Sequence, residues 1–91
     1  MPEVRFTLRW PDGTTQLCVS PSRAIRDHLD EGEAYPVDEL VRRAASGLDA
    51  ASERVREVYG FACTAAAAQR AAIERRAAAS PPGEVVVEAM A

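Results

Sequence analysis

Cys18 and Cys63 are the two thiols of this 91-residue chain, and each closes a short signature. Cys63 lies in Tyr59-Gly60-Phe61-Ala62-Cys63-Thr64, between two predicted helices. A thiol at a helix N-terminus feels the positive end of the dipole, which favours the thiolate that attacks electrophiles or ligates metal. The competing reading is a small apolar filler beside Phe61, as most isolated cysteines are. Cys18 follows Arg9-Trp10-Pro11-Asp12-Gly13 on a predicted strand. If the two sulfurs met, a redox-responsive disulfide or a shared ligand site would result, and the sequence leaves their separation open. His28, with Asp27 or Asp30, would extend the pair to a metal set of the catalytic-zinc kind, three protein ligands and an open position. The spacings match no C-x-x-C or H-x-x-x-H pattern, so a helix-surface histidine beside a carboxylate is the favoured reading of His28. Asp30, Glu31 and Glu33 could form a general acid/base set, but they fall in a predicted turn, where solvation is the ordinary outcome. There is no glycine-rich phosphate loop, Ser-His-Asp order or cofactor fingerprint, so no cofactor is expected.

These residues must be positioned by a small number of elements. Residues 3–10 alternate strictly, with Val4, Phe6, Leu8 and Trp10 on one face and Glu3, Arg5, Thr7 and Arg9 on the other, the pattern of a half-buried strand. Pro11-Asp12-Gly13-Thr14 supplies turn chemistry, and a second strand follows over about 15–19. A two- or four-residue loop sets Trp10 opposite Thr15, Leu8 opposite Leu17 and Phe6 opposite Val19. That register gathers the apolar side chains on one face and leaves Cys18 beside Thr7 on the other, away from the core. Ser20-Pro21-Ser22 stops the strand and caps a short helix over 22–31, with Ile25 and Leu29 as its buried edge. A long helix runs from Pro36 or Val37 to Tyr59, its apolar positions spaced by threes and fours; Gly47 marks either a bend or, as the unbroken periodicity favours, a close approach of another helix, and Gly60 a left-handed cap. An alanine-faced helix over 64–79, capped by Thr64 or Cys63, has Ile73 as its one large anchor, and a last strand covers 84–90 with Val85, Val87 and Ala89 inward. The expected fold is α+β in the order β-β-α-α-α-β, a three-stranded, mainly antiparallel sheet with helices packed on one face, as a single domain over 1–91.

Composition narrows the function. Eighteen residues are alanine, so large core formers are few, Phe61 and Trp10 among them. Trp10 reads as core rather than as a stacking platform. All eleven basic residues are arginine, the net charge is −3, and the arginines alternate with acids along the helices. That is an ion-paired, solvated surface and not the basic stripe of a nucleic-acid binder. Arg5 and Arg9, on the outer face of the first strand, could dock an acidic partner, or simply keep the sheet soluble. No apolar run approaches the roughly twenty residues that span a bilayer. The N-terminal residues lack a signal-peptide pattern, and a cytoplasmic protein with free thiols is expected.

Several stretches taken together point to a family. Met1-Pro2-Glu3-Val4-Arg5-Phe6, Arg9-Trp10-Pro11-Asp12-Gly13, Cys18 before Ser20-Pro21-Ser22, Asp27-His28-Leu29, Ala51-Ser52-Glu53-Arg54-Val55 and Tyr59-Gly60-Phe61-Ala62-Cys63 resemble the small nitrogen-starvation response proteins of mycobacteria and other bacteria. The resemblance spans nearly the whole chain. It implies a gene encoded beside a nitrilase-type carbon–nitrogen hydrolase, a radical-SAM protein, an acetyltransferase-like protein and flavoproteins, in a cluster for nitrogen scavenging that includes cyanide assimilation. It brings no catalytic residues with it. The expected function is a non-enzymatic accessory or binding protein of that pathway, acting on a pathway enzyme, a second copy of itself or a small ligand. The alternative is a small thiol- or metal-dependent enzyme or carrier that uses Cys63 with Cys18 or His28.

Overall fold

A computed structural model describes residues 3–61 and 64–91. Strands β1 (Val4–Arg9) and β2 (Thr15–Ser20) form the expected antiparallel hairpin, but one residue away from the expected register. Phe6 pairs with Cys18, Thr7 with Leu17 and Leu8 with Gln16. The turn accounts for the slip. Trp10 N–H donates to the Thr14 carbonyl and Gly13 N–H to the Trp10 carbonyl, each at 2.8 Å, enclosing a three-residue loop of Pro11, Asp12 and Gly13. Proline's fixed φ suits the first loop position, and Gly13 at φ +87° supplies the left-handed residue on which such loops end. A two-residue loop would have drawn Pro11, which has no N–H, into the ladder. The odd loop turns β2 over, so Cys18 and Ser20 enter the core while Leu17 is left 82% exposed and Val19 39% exposed. Polar groups turned inward find partners: Trp10 Nε1 donates to Gln16 Oε1 at 3.0 Å, and Ser20 Oγ to the Ser22 carbonyl at 2.8 Å.

Ser22 does cap a helix, its Oγ accepting from Ala24 N–H at 3.1 Å, but the helix is a short 3₁₀ segment, Arg23–Asp27, in place of the α-helix expected over 22–31. One 3₁₀ turn suffices to bury Ile25, and Leu29 follows it into the core. The chain then adds a strand that hydrophobic alternation could not reveal, β3 (Ala34–Pro36), only three residues long and ending in proline. Proline is tolerated there because β3 is an edge strand. It pairs antiparallel with the C-terminal strand β4 (Glu84–Met90), and β4 pairs antiparallel with β1. The sheet therefore has four strands in the order β2-β1-β4-β3, not three. A bulge in the β1–β4 ladder inserts Glu88 between the partners of Thr7 and Leu8, which shifts the phase of β4 so that Met90 is buried and Ala89 exposed.

Two helices cover one face of this sheet. α1 (Val37–Tyr59) is a 23-residue rod, roughly 34 Å long at ~1.5 Å per residue, along a molecule whose longest dimension is 39 Å. Asp38 and Glu39 sit at its positive end, and Gly60, at φ +82°, closes it by donating its N–H to the Arg56 carbonyl at 2.8 Å. Gly47 marks the close approach its surroundings imply, since a Cβ there would lie 2.5 Å from Ile25 Cδ1 and 3.2 Å from His28 Cβ. α2 (Thr64–Ala78) buries only Ala66 and Ile73. Polar ties hold it in place: Gln69 Oε1 accepts the Val19 N–H at 3.0 Å, Arg70 pairs with Asp49 at 2.7 Å, and Arg76 donates to Thr14 Oγ1. The core between the layers is built on Phe6, Leu8, Trp10, Ile25, Leu40, Leu48, Ile73, Val85 and Val87. Each large apolar side chain fully buried there contributes about 1.5–3 kcal/mol. Among the described residues, no helix is long and apolar enough to cross a membrane.

Candidate functional site

The thiol expected on the outer face of the sheet lies on its inner face. Cys18 is 1% exposed, packed in the main core, and its Sγ donates weakly to the Gln16 carbonyl at 3.8 Å. Burial pushes the thiol up to about 12, so near neutral pH it is a protonated, small apolar filler with little nucleophilic character. His28 closes the 3₁₀ helix, half-buried against α1 near Gly47, and its carbonyl accepts from Arg43 Nη1 at 3.4 Å. Cys63 lies outside the described residues, and with it the Cys18–Cys63 separation. Among the described residues, no group of three or more His, Cys, Asp or Glu side chains could hold a metal.

The acids of the predicted turn include one with a structural task. Glu31 Oε1 accepts the Met90 N–H at 2.6 Å, and the Asp30 backbone N–H donates to the Tyr35 hydroxyl at 3.1 Å, tying the turn to the sheet. Arg5 and Arg9 are exposed on the outer sheet face, as expected, but both are paired within the chain. Arg5 meets Glu3 at 3.4 Å, and Arg9 forms a two-pronged contact with Glu88 at 2.8 and 3.1 Å. Arg9 thus holds the residue that the bulge extrudes.

A different group of arginines forms no ion pair among the described residues. Arg5, Arg9, Arg42, Arg43, Arg56 and Arg70 each form an ion pair, and Arg76 bonds Thr14. Of the rest, Arg23, Arg26 and Arg54 have no ion-pair partner among the described residues, and all three line one cleft of ≈ 590 Å³ between the 3₁₀ helix and the C-terminal half of α1. Asp27 and Glu57 share the cleft without pairing to them, and Ala24 and Val58 supply apolar wall. The 3₁₀ geometry creates this arrangement. In an α-helix Arg23 would sit one turn from Asp27, within reach of an ion pair; at three residues per turn it falls on the same side as Arg26, and both line the cleft. Reading 22–31 as α-helical hid the cluster.

The cleft opens beside a row of large apolar side chains that the fold leaves in solvent. Val58, Tyr59 and Phe61 are 58%, 51% and 66% exposed, and the Tyr59 and Phe61 ring centroids lie 6.3 Å apart. Phe61 was expected in the core; the Gly60 cap ends α1 and turns the chain outward before it. Single exposed apolar residues are ordinary, whereas three within four positions, beside a cleft, form a patch.

The architecture is that of a two-layer α+β protein, a four-stranded antiparallel sheet under two helices, whose distinctive side chains lie at one end of α1. The family model described as nitrogen starvation-induced protein NitG matches residues 5–90, and the chain belongs to that family. No curated protein and no solved structure matches it.

Proposed function

We propose that this NitG-family protein serves a nitrogen-scavenging pathway as a non-enzymatic accessory protein, and that it acts by docking a partner at the end of α1. The observation that carries the reading is the exposed row Val58, Tyr59 and Phe61. These side chains are half to two-thirds exposed, so covering what remains would contribute about 1–2 kcal/mol apiece before the costs of association. Thiol chemistry shared between the two cysteines draws no support from Cys18, whose sulfur is enclosed and held protonated.

The test is recovery of tagged protein, after mild cross-linking, from nitrogen-starved cells of its own host. Wild-type protein is expected to carry one partner in stoichiometric amount, and a Val58→Asp/Phe61→Asp double variant to lose it while keeping the wild-type melting temperature. A wild-type protein recovered alone, or a double variant that keeps its partner, would overturn the reading.

A further inference from the structure

We propose that the surface received at this end of the molecule is acidic, a protein segment whose carboxylates are held by Arg23, Arg26 and Arg54 while its apolar side chains cover Val58 and Phe61. The inference rests on the docking reading above and adds the chemistry of the partner.

The chain carries a net charge of −3 and spends six of its eleven arginines on ion pairs within itself. Against that background, three unpaired guanidinium groups around one cleft are a local reversal of charge. Five charged residues line the cleft, Arg23, Arg26 and Arg54 against Asp27 and Glu57, a balance of +1. The two acids line the same cleft but form no ion pair with these arginines, so the guanidinium donors are not engaged by them. A guanidinium presents a planar fork of N–H donors that meets both oxygens of a carboxylate at once, and it is weakly hydrated enough to give up water for it.

The surroundings favour a protein segment over a lone small anion. The walls include Ala24 and Val58, and the apolar surface runs on past the mouth to Tyr59 and Phe61, farther than a small carboxylate would reach. A segment alternating acidic and large apolar residues would satisfy both halves at once. The rigid base of the cleft suits the same role. Ser22 Oγ caps the 3₁₀ helix, and Gly47 lets that helix seat against α1, so Arg23 and Arg26 are carried on a packed element.

The probe is a blocked hexapeptide of glutamates flanking a leucine–phenylalanine pair, titrated into isotope-labelled full-length protein and followed by amide and arginine Nε–Hε resonances. Perturbation is expected at Arg23, Arg26, Arg54 and Val58, weakening as salt is raised. Affinity is expected to fall at least tenfold in an Arg23→Gln/Arg26→Gln/Arg54→Gln variant and to be unchanged in Arg75→Gln, whose arginine is also unpaired but lies outside the cleft. Equal binding of a peptide with glutamine in place of glutamate, undiminished binding by the triple variant, or no perturbation at millimolar peptide would overturn the proposal. Glutarate matching the peptide in affinity would also overturn it, in favour of a small-anion site. So would sedimentation showing the cleft closed by a second copy. Should the peptide fail while Val58→Asp/Phe61→Asp still strips the cellular partner, the acidic chemistry falls and the docking reading stands.

Discussion

Gly47→Ala puts the packing of the 3₁₀ helix against α1 to a quantitative test. In an exposed helix this exchange would stabilise by about 0.8–1.0 kcal/mol, because alanine is the better helix former. Here the new Cβ would lie 2.5 Å from Ile25 Cδ1, 3.2 Å from His28 Cβ and 3.4 Å from His28 Cγ. Carbon pairs rest at roughly 3.5–4.0 Å, so Ile25 must retreat by about 1 Å. Cδ1 is the far end of a flexible side chain, but Ile25 is fully buried, so it must move within a packed core while His28 Cβ also gives by a few tenths of an ångström. Overpacking of this kind costs typically 1–3 kcal/mol, and on balance it outweighs the propensity gain by about 1 kcal/mol. For a domain of this size that lowers the melting temperature by about 4–8 °C. The decisive assay is a double-mutant cycle with Ile25→Val, which deletes the Cδ1 in the way. Alone, Ile25→Val should cost about 0.5–1.5 kcal/mol; combined with Gly47→Ala, it should cost less than the sum by at least 0.5 kcal/mol. A Gly47→Ala protein that melts higher than wild type, or two substitutions whose effects simply add, would show that the glycine is not there for close approach.

Three further outcomes follow from the hairpin and its thiol. Gln16→Leu leaves the buried Trp10 Nε1–H without its acceptor and should destabilise by about 1–3 kcal/mol, whereas Gln16→Glu keeps an acceptor and should cost less, both read from urea unfolding. The Cys18 thiol has its proton held to about 12 in the fold against 9.0 ordinarily. The unfolded chain therefore sheds this proton first as pH rises, and the contribution to stability, intact below about pH 9, drains at ~1.4 kcal/mol per unit until the folded group also titrates. Stability measured from pH 8 to 11 should accordingly fall more steeply for wild type than for Cys18→Ala; parallel curves would contradict the burial argument. In a Cys63→Ser protein, where Cys18 is the sole thiol, an aromatic disulfide reagent should react over hours under native conditions and within seconds in denaturant. Rapid native labelling would mean that β2 does not turn this sulfur inward.

Long periodic elements were legible in the sequence, and short or phase-shifted ones were not. α1 lies where its spacing and caps place it, β4 begins and ends as expected, and Gly47 performs the packing its alanine neighbours imply. β3 escaped because three residues cannot display alternation, and its stability comes from a partner distant in sequence, Ala34 pairing with Val86 and Tyr35 with Val85. Ala89 and Met90 exchanged places because a bulge adds one residue to a period of two, which no local propensity announces. The arginine cleft was hidden by helix type. Arg23 and Asp27 look like neighbours at 3.6 residues per turn and are not at three.

The hairpin loop has the widest consequences for function. Hydrophobic pattern alone asks for Leu17 and Val19 inside, yet both are outside, and the loop decides the matter. Pro11 cannot donate to a ladder and Gly13 can take a left-handed turn, so a three-residue loop is the one these residues close without strain. The apolar burial forfeited by Leu17 and Val19 is offset by what the turned strand gains. Cys18 fills core volume, Gln16 satisfies the Trp10 indole, Ser20 satisfies the chain at Ser22, and the outward Val19 N–H is met by Gln69 of α2. One odd-numbered loop therefore withdraws a thiol from solution and sets Leu17 on the surface. Among the described residues, the large apolar side chains on the surface are then Leu17 and Val19 on β2 and the row Val58, Tyr59 and Phe61, and it is the row that stands beside the arginine-lined cleft. The Cys18 sulfur belongs to the core, and the docking proposed above is left to the apolar row and the cleft beside it.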